Sequence, residues 1–230
     1  MSLKEDAVRW ARENKTKIVR GFVSNAVPAT SPSAIFMAGL PGAGKTELAR
    51  ELVAAMSSRV PLLDMDELAQ MIPGYKAEQA DDFRAGATIL LERILDELLG
   101  KKCDFILDGT FGGSKALGNV DRALKRGYAV KVVYVRQEPE LAWAFTKARE
   151  KIEYRAISMD GFIETYERIY RNLHKLLENS GNVFIDVVLK RKDNSVGMYY
   201  GGVSKGAIDG LDAPRYTKEM LRGILERTND

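Results

Sequence analysis

The chain has 230 residues, 45% of them hydrophobic and 29% charged, so it is long enough to bury one sizeable core, and we expect a single domain over residues 1–230. Its 35 basic and 32 acidic residues nearly balance, which argues against a dedicated nucleic-acid binder, because such proteins cluster Lys and Arg on one face. Cys103 is the only cysteine, which excludes an internal disulfide and favours a reducing, cytoplasmic location. His174 is the only histidine, which argues against multi-histidine metal sites and Ser-His-Asp chemistry.

The N-terminal segment is predicted to be an amphipathic helix. Residues 1–20 alternate charged and apolar side chains and contain no continuous apolar stretch, so they predict neither a signal peptide nor a membrane span. We therefore expect residues 1–28 to form a helical extension docked on the domain, and we expect no association with a membrane.

Apolar runs and helical periods alternate along the rest of the chain. The runs that predict strands cover residues 34–38, 60–63, 105–107, 129–135 and 183–189. The apolar spacing between them predicts helices over residues 45–56, 78–99, 115–126, 140–151 and 160–177, with Gly100 as the stop of the second. Strands that alternate with helices form right-handed βαβ units, which predicts an α/β fold with a mostly parallel sheet and helices on both faces.

The pattern weakens after the last apolar run. Residues 195–202 are consistent with a piece of a hairpin, residues 201–216 are predicted to be a loop, and residues 218–227 a final helix. We treat residues 195–230 as a C-terminal extension without an assigned role. Just before it, the polar neighbours of His174 predict an exposed helix face.

The first predicted strand runs into a glycine-rich phosphate-binding pattern that opens a helix. Its residues match G-x-x-x-x-G-K-[ST] and are Gly39, Leu40, Pro41, Gly42, Ala43, Gly44, Lys45 and Thr46. Glycines allow the backbone to curl its N–H groups around a phosphate, and the N-terminus of the following helix favours anions. The pattern predicts a nucleotide-binding loop, with Lys45 on the β- and γ-phosphates and the Thr46 hydroxyl on Mg²⁺.

Carboxylates follow two of the other predicted strands. Asp108 ends the run 105–107, where ligands bind in open α/β sheets, and we expect it to serve Mg²⁺, with Thr110 at the same rim. Asp64 and Asp66 follow residues 60–63 and face the same way. Asp66 is the candidate base for an acceptor hydroxyl, and the alternative is that it only caps a helix starting at Glu67, whereas Asp64 supports the site or the turn.

A basic segment after the fourth predicted strand is placed where phosphoryl-transfer enzymes carry a mobile lid. It contains Arg149 and Arg155, and arginine side chains stabilise the charge that spreads over a transferring phosphoryl group. Trp143 and Phe145, on the same segment, are predicted to pack the lid rather than to stack on a substrate.

These segments together resemble the zeta-toxin family, the P-loop kinases of bacterial toxin–antitoxin systems. The resemblance spans roughly residues 5 to 190 and is carried by residues 36–39, 41–47, 63–67, 73–75, 105–111, 142–145, 149–150, 155–157 and 162–163. The Asp-Gly-Thr-Phe stretch at 108–111 is much more specific than the phosphate loop. The family implies a three-layer P-loop kinase fold with a helical lid.

The resemblance also implies a reaction, transfer of the ATP γ-phosphate to the 3′-hydroxyl of the sugar in UDP-N-acetylglucosamine. It implies Lys45, Asp66, Arg149 and Arg155 as catalytic residues, with Asp66 as the base. The sugar nucleotide would be bound by Asp66, Glu67, Tyr75, Asp108 and Thr110, and a separate antitoxin protein is an expected partner.

Two positions leave the acceptor open. Ala69 stands where relatives often carry a basic residue, and Tyr154 stands where a glycine commonly precedes the second lid arginine. A P-loop kinase for another hydroxyl acceptor, such as an antibiotic, a nucleoside or a polynucleotide end, is therefore an alternative. A nucleotide-gated binding protein is a further one, although it would need neither Asp66 nor the arginines.

Overall fold

A computed structural model describes residues 2–56, 60–153, 156–179, 183–211 and 215–228. Within these ranges the strands are β1 (Ser33–Ala38), β2 (Leu62–Asp64), β3 (Phe105–Asp108), β4 (Ala129–Arg136), β5 (Val183–Lys190) and β6 (Val196–Tyr200). The helices are α1 (Leu3–Val23), α2 (Lys45–Met56), α3 (Met65–Gln70), α4 (Ala80–Lys101), α5 (Ala116–Lys125), α6 (Pro139–Glu153), α7 (Met159–Asn179), α8 (Lys205–Leu211) and α9 (Lys218–Thr228).

The strands form one sheet in the order β2-β3-β1-β4-β5-β6. The first five strands pair in parallel, and β6 runs antiparallel to β5. The chain crosses the sheet in one direction from β1 to β2 and in the other from β3 to β4, so right-handed crossovers place α2 and α5 on opposite faces. The predicted α/β fold, with its mostly parallel sheet and helices on both faces, is confirmed.

The topology brings the candidate residues to one edge of the sheet. β1 leads directly into residues 39–44, and α2 begins at Lys45. Asp64, the last residue of β2, is in register with Asp108, the last residue of β3, and β3 lies between β2 and β1. Both carboxylates therefore lie at the same end of the sheet as the loop that follows β1, and β3, which carries Asp108, is the direct neighbour of β1.

The helix α4 runs past its predicted end. Gly100 lies within α4, and Lys102 closes the helix instead, in a left-handed conformation with φ 57°. The backbone N–H of Lys102 donates to the carbonyl of Leu98, which satisfies one of the last carbonyl groups of the helix. The helix therefore ends at Lys102, two residues after the glycine at which the sequence predicted its end.

The segment predicted as a loop over residues 201–216 contains the short helix α8, so that prediction is wrong for residues 205–211. Ile208 is fully buried, Lys205 pairs with Glu178 of α7, and the hydroxyl of Tyr170 donates to Asp209 over 2.7 Å. These contacts with α7 stabilise a helix too short to form alone. The predicted hairpin piece is confirmed as β6.

His174 is mostly buried, contrary to the exposed helix face predicted for it. Its side chain is 12% exposed, its ring centre lies 4.0 Å from that of Tyr170, and its Nε2 atom lies 3.1 Å from Asp209 Oδ1. The histidine therefore helps to join α7 to α8.

The N-terminal helix α1 packs closely along α4. Ala7 and Ala11 of α1 are buried at this contact. A Cβ atom on Gly86 of α4 would lie 2.8 Å from the carbonyl oxygen of Ala7 and 2.8 Å from Cδ1 of Ile72. Only a glycine at position 86 allows the two helices to approach this closely.

We predict that the same substitution has opposite effects at the two glycines of α4. Gly86→Ala should lower the free energy of unfolding by about 1–3 kcal/mol, because the added methyl group overpacks the contact with α1. Gly100→Ala should be neutral or should raise it by up to about 1 kcal/mol, because alanine favours the helix and the nearest atom to the new Cβ is 3.8 Å away. Urea unfolding of both variants is the measurement, and equal stabilities would contradict the close packing of α1 on α4.

No helix in the described part of the chain combines the length and the apolar character needed to cross a bilayer.

Candidate active site

The phosphate loop, residues 39–46, is a tight turn that packs against α6. Gly42 and Gly44 have φ angles of +76° and +83°, a conformation in which an L side chain is strained. A Cβ atom on Gly42 would also lie 2.2 Å from the carbonyl oxygen of Ala142 in α6. The N–H of Gly39 donates to the carbonyl of Thr110 over 3.1 Å, so the loop after β3 supports the start of the phosphate loop.

Lys45 lies buried at the first position of α2, where the phosphate-binding pattern places it. Its Nζ atom donates to the carbonyl of Leu40 over 2.7 Å, so the side chain folds back over the loop. Burial lowers the pKa of Lys45 to about 8, against the opposing attraction of Asp108, and the positive charge of Arg149 lowers it further. The charges of Glu47 and Asp66 also act on this ammonium group and raise its pKa.

Three other predicted site residues carry charges that act on Lys45. Asp66 comes from α3, Asp108 from β3 and Arg149 from α6, and all three influence the same ammonium group. Such influence requires short separations, because charge interactions weaken with distance and with intervening water. The structure thus places Asp66, Asp108 and Arg149, which come from different parts of the chain, where their charges act on Lys45.

Thr46 and Asp108, the two residues predicted to hold Mg²⁺, are in direct contact. The Thr46 hydroxyl donates to Asp108 Oδ2 over 2.6 Å. Asp108 is 7% exposed, and its other oxygen, Oδ1, is buried without a hydrogen-bond partner among the described residues. An unpaired carboxylate oxygen beside a threonine hydroxyl fits Mg²⁺, which binds through one or two carboxylates, substrate phosphates and water.

Elsewhere in the described residues, no three His, Cys, Asp or Glu side chains come together as a metal cluster. Mg²⁺ held mainly by phosphates does not need such a cluster. The donor set of Thr46 and Asp108 therefore suits an ion that arrives with a nucleotide better than a permanently bound one.

The capping alternative for Asp66 is wrong, because Asp64 caps the helix. α3 begins at Met65, two residues before the predicted start, and Asp64 Oδ1 accepts the backbone N–H of Asp66 over 2.8 Å. Burial raises the pKa of Asp64 to about 6, opposed by this hydrogen bond, and the charges of Asp66 and Asp108 raise it further. Asp64 therefore fixes the start of α3, and Asp66 lies in its first turn.

The other residues expected to bind the acceptor are less closely gathered. Glu67 is half-exposed and lies 3.3 Å from Arg50 of α2. Tyr75 follows α3 and packs edge-on against Phe83, with ring centres 5.3 Å apart. The Thr110 hydroxyl accepts the N–H of Gly112 over 3.2 Å, which shapes the loop after β3.

The helix α6, where the sequence predicts a lid, is buried near its start and exposed near its end. Trp143 is 1% exposed and packs edge-on against Phe162 of α7 at 5.1 Å, as expected of a packing residue. Arg149, two turns further on, is exposed, and its charge acts on Lys45. Arg155, the second predicted lid arginine, lies outside the described residues.

Sequence reasoning missed Gln137 and Thr146, two buried polar residues that shape the site. Thr146 Oγ1 donates to the carbonyl of Ala142 over 2.8 Å and lies against Gly42. Gln137 follows β4, is 3% exposed, and its Nε2 atom donates to the carbonyl of Arg191 over 2.8 Å. The only signal for Gln137 is an uncharged polar residue directly after an apolar strand.

The fold matches solved structures of low sequence identity. A chain of the PezAT chromosomal toxin–antitoxin system of Streptococcus pneumoniae has a TM-score of 0.70 and 18% identity, over 99% of this chain and 96% of that one. The AvrRxo1-ORF1:-ORF2 complex gives a TM-score of 0.63 and 13% identity, over 94% and 84%. With ATP, the same complex gives 0.59 and 13%, over 98% and 84%. Identities this low show a common fold alone.

The sequence itself identifies the family. No curated protein matches the chain in sequence. The model of the Zeta toxin family, however, matches residues 22–203, a stretch that begins before β1 and ends after β6. This match includes the phosphate loop, the ends of β2 and β3 with their carboxylates, and α6. The chain therefore belongs to the Zeta toxin family.

Proposed function

We propose that this protein is an ATP-dependent kinase that phosphorylates the sugar 3′-hydroxyl of UDP-N-acetylglucosamine. One observation carries the proposal: Asp64 supplies the cap of α3, so the cap does not require the side chain of Asp66, and the charge of Asp66 acts on Lys45. Membership of the Zeta toxin family, with its kinase-like P-loop fold, supports the same reaction.

In this proposal each residue has one task. Lys45 leaves the carbonyl of Leu40 and binds the β- and γ-phosphates of ATP. Asp66 accepts the proton of the acceptor hydroxyl while the oxygen of that hydroxyl forms a bond to the γ-phosphorus of ATP. The bond between the γ-phosphorus and the β–γ bridging oxygen breaks at the same time and releases ADP. Arg149, with Arg155, stabilises the charge on the transferring group.

The metal has a supporting role in the same scheme. Thr46 and Asp108 would hold Mg²⁺, which when bound neutralises charge on the β- and γ-phosphates. Glu67, Tyr75, Asp108 and Thr110 are proposed to bind the sugar nucleotide together with Asp66.

The experiment is a direct transfer assay. Purified protein with Mg²⁺, ATP and UDP-N-acetylglucosamine should give a product heavier by one phosphoryl group, which mass spectrometry detects. An acceptor that lacks the 3′-hydroxyl should give no product, and ADP should form in the same amount as product. If UDP-N-acetylglucosamine is untouched while the protein binds ATP, the acceptor proposal fails.

Another acceptor is the second candidate, and the position of Ala69 favours it. Ala69 is 5% exposed on α3, so its side chain points into the core and offers no charge to a diphosphate. A recognition mode without that basic residue would be needed for a sugar nucleotide. A panel of nucleosides, antibiotics and polynucleotide ends in the same assay separates the two candidates.

A partner and a location belong to the proposal as well. The PezAT match comes from a toxin–antitoxin system, and we propose that a separate antitoxin protein binds this chain in the cytoplasm. Growth arrest on expression, relieved by Asp66→Ala, would support a toxic kinase activity. Unimpaired growth at high expression would argue against it.

A further inference from the structure

The turn between β5 and β6 reaches the phosphate loop. A Cβ atom placed on Gly44 would lie 3.1 Å from Lys190 Nζ and 3.1 Å from Asn194 Nδ2. Lys190 is the last residue of β5, and Asn194 lies in the turn that precedes β6. Two hydrogen-bond donors from one turn therefore converge beside the glycine that precedes Lys45.

The position of Asn194 is fixed by its backbone and by its own side chain. Its φ angle is 64°, a left-handed conformation that asparagine tolerates better than most residues, and its N–H donates to the carbonyl of Arg191 over 2.9 Å. Its Oδ1 atom accepts from Nε2 of the buried Gln137 over 3.3 Å. With Oδ1 so used, the amide group turns its Nδ2 donor toward Gly44.

The charge of Lys190 is not balanced within the described residues. Lys190 is half-buried and takes part in no ion pair within 4.0 Å among the described residues. The nearby acid of the same turn, Asp193, accepts from the N–H and hydroxyl of Ser195 over 3.0 and 2.6 Å. A half-buried cation without a counter-ion, beside a phosphate-binding loop, is suited to an anionic ligand.

We propose that Lys190 and Asn194 bind the α-phosphate and ribose end of the nucleotide. Lys45 is assigned to the β- and γ-phosphates, so the donors beside Gly44 are assigned to the part of the ligand nearer the nucleoside. The charge of Lys190 binds the α-phosphate, and the amide of Asn194 donates to a phosphate or ribose oxygen. This inference rests on the proposed function only in requiring that a nucleoside triphosphate occupies the loop.

The test measures nucleotide binding without any acceptor, using a non-hydrolysable ATP analogue and ADP with Mg²⁺. Lys190→Met should raise the Kd for both about tenfold or more, since a hydrogen bond to a charged group is lost. Asn194→Asp should have a similar or larger effect, because it keeps the acceptor for Gln137 and the left-handed backbone but replaces the donor by an anion. Lys190→Arg should retain most of the affinity.

The matched control is Lys192→Met, which removes the same charge from an exposed position of the same turn. It should leave both Kd values unchanged, and all variants should keep the thermal midpoint of the wild type without nucleotide. Equal Kd values for Lys190→Met and Lys192→Met, with Lys190→Met folded, would overturn the proposal. That result would leave the acceptor assay untouched, and an inactive acceptor assay would not alter these Kd values.

Discussion

Replacement of Asp66 by asparagine should lower the rate of phosphoryl transfer by roughly 10²–10⁴-fold or more, while the Kd for ATP changes by no more than about threefold. Asparagine has the same shape but cannot accept the proton of the acceptor hydroxyl. Because Asp64, and not Asp66, caps α3, the substitution should not disturb the start of the helix. Transfer rates at saturating ATP, together with ATP binding, are the measurements.

The matched control for Asp66→Asn is Asp81→Asn. Asp81 is an exposed aspartate in the first turn of another helix, α4, and lies 3.7 Å from Arg84. Its substitution removes the same charge at an equivalent place in a helix and should leave transfer at the wild-type rate. If folded Asp66→Asn keeps more than about a tenth of the wild-type rate, another group takes the proton and the assignment of Asp66 is wrong.

The start of α3 is a place where the sequence allowed two answers. Asp64 and Asp66 are equally good capping residues, and each stands just ahead of an apolar helical pattern. The pairing of β2 with β3 determines which aspartate caps α3, because it keeps the backbone extended as far as Asp64 and the helix begins directly after it. That register depends on residues more than forty positions apart in the chain, which local patterns do not contain.

The strand ends, in contrast, could be predicted because their signal is local. The buried strand β1, the glycines after it and the helix that follows form one continuous pattern, and the structure has these elements where the sequence placed them. The contacts between distant segments could not be predicted: Gln137 with the turn after β5, Ala142 against Gly42, and Asp209 beside His174. Each of these joins surfaces that only the complete fold brings together.

The binding of ATP should weaken above pH 8, by about tenfold per pH unit, because Lys45 loses its proton there. Burial lowers the pKa of Lys45 to about 8 in the protein without nucleotide. A bound triphosphate favours the charged ammonium and so raises that pKa, which means that binding above pH 8 must take up a proton. The affinity is therefore highest below pH 8 and falls as the pH rises from about 8 toward the pKa that Lys45 has in the complex. The phosphates do not contribute to this fall, because their last pKa is about 6 and they are fully ionised above pH 8.

Two variants show whether Lys45 causes this dependence, measured as the Kd of a non-hydrolysable ATP analogue with Mg²⁺ from about pH 7 to pH 10. Lys45→Met should bind at least about a hundredfold more weakly at pH 7 and should show no weakening above pH 8, because the titrating cation is gone. Lys45→Arg, which stays charged throughout this range, should also lose the dependence. Tyr128 does not interfere, because burial raises its pKa to about 12. A wild-type affinity that stays constant up to pH 10 would contradict the uptake of a proton by Lys45 on binding.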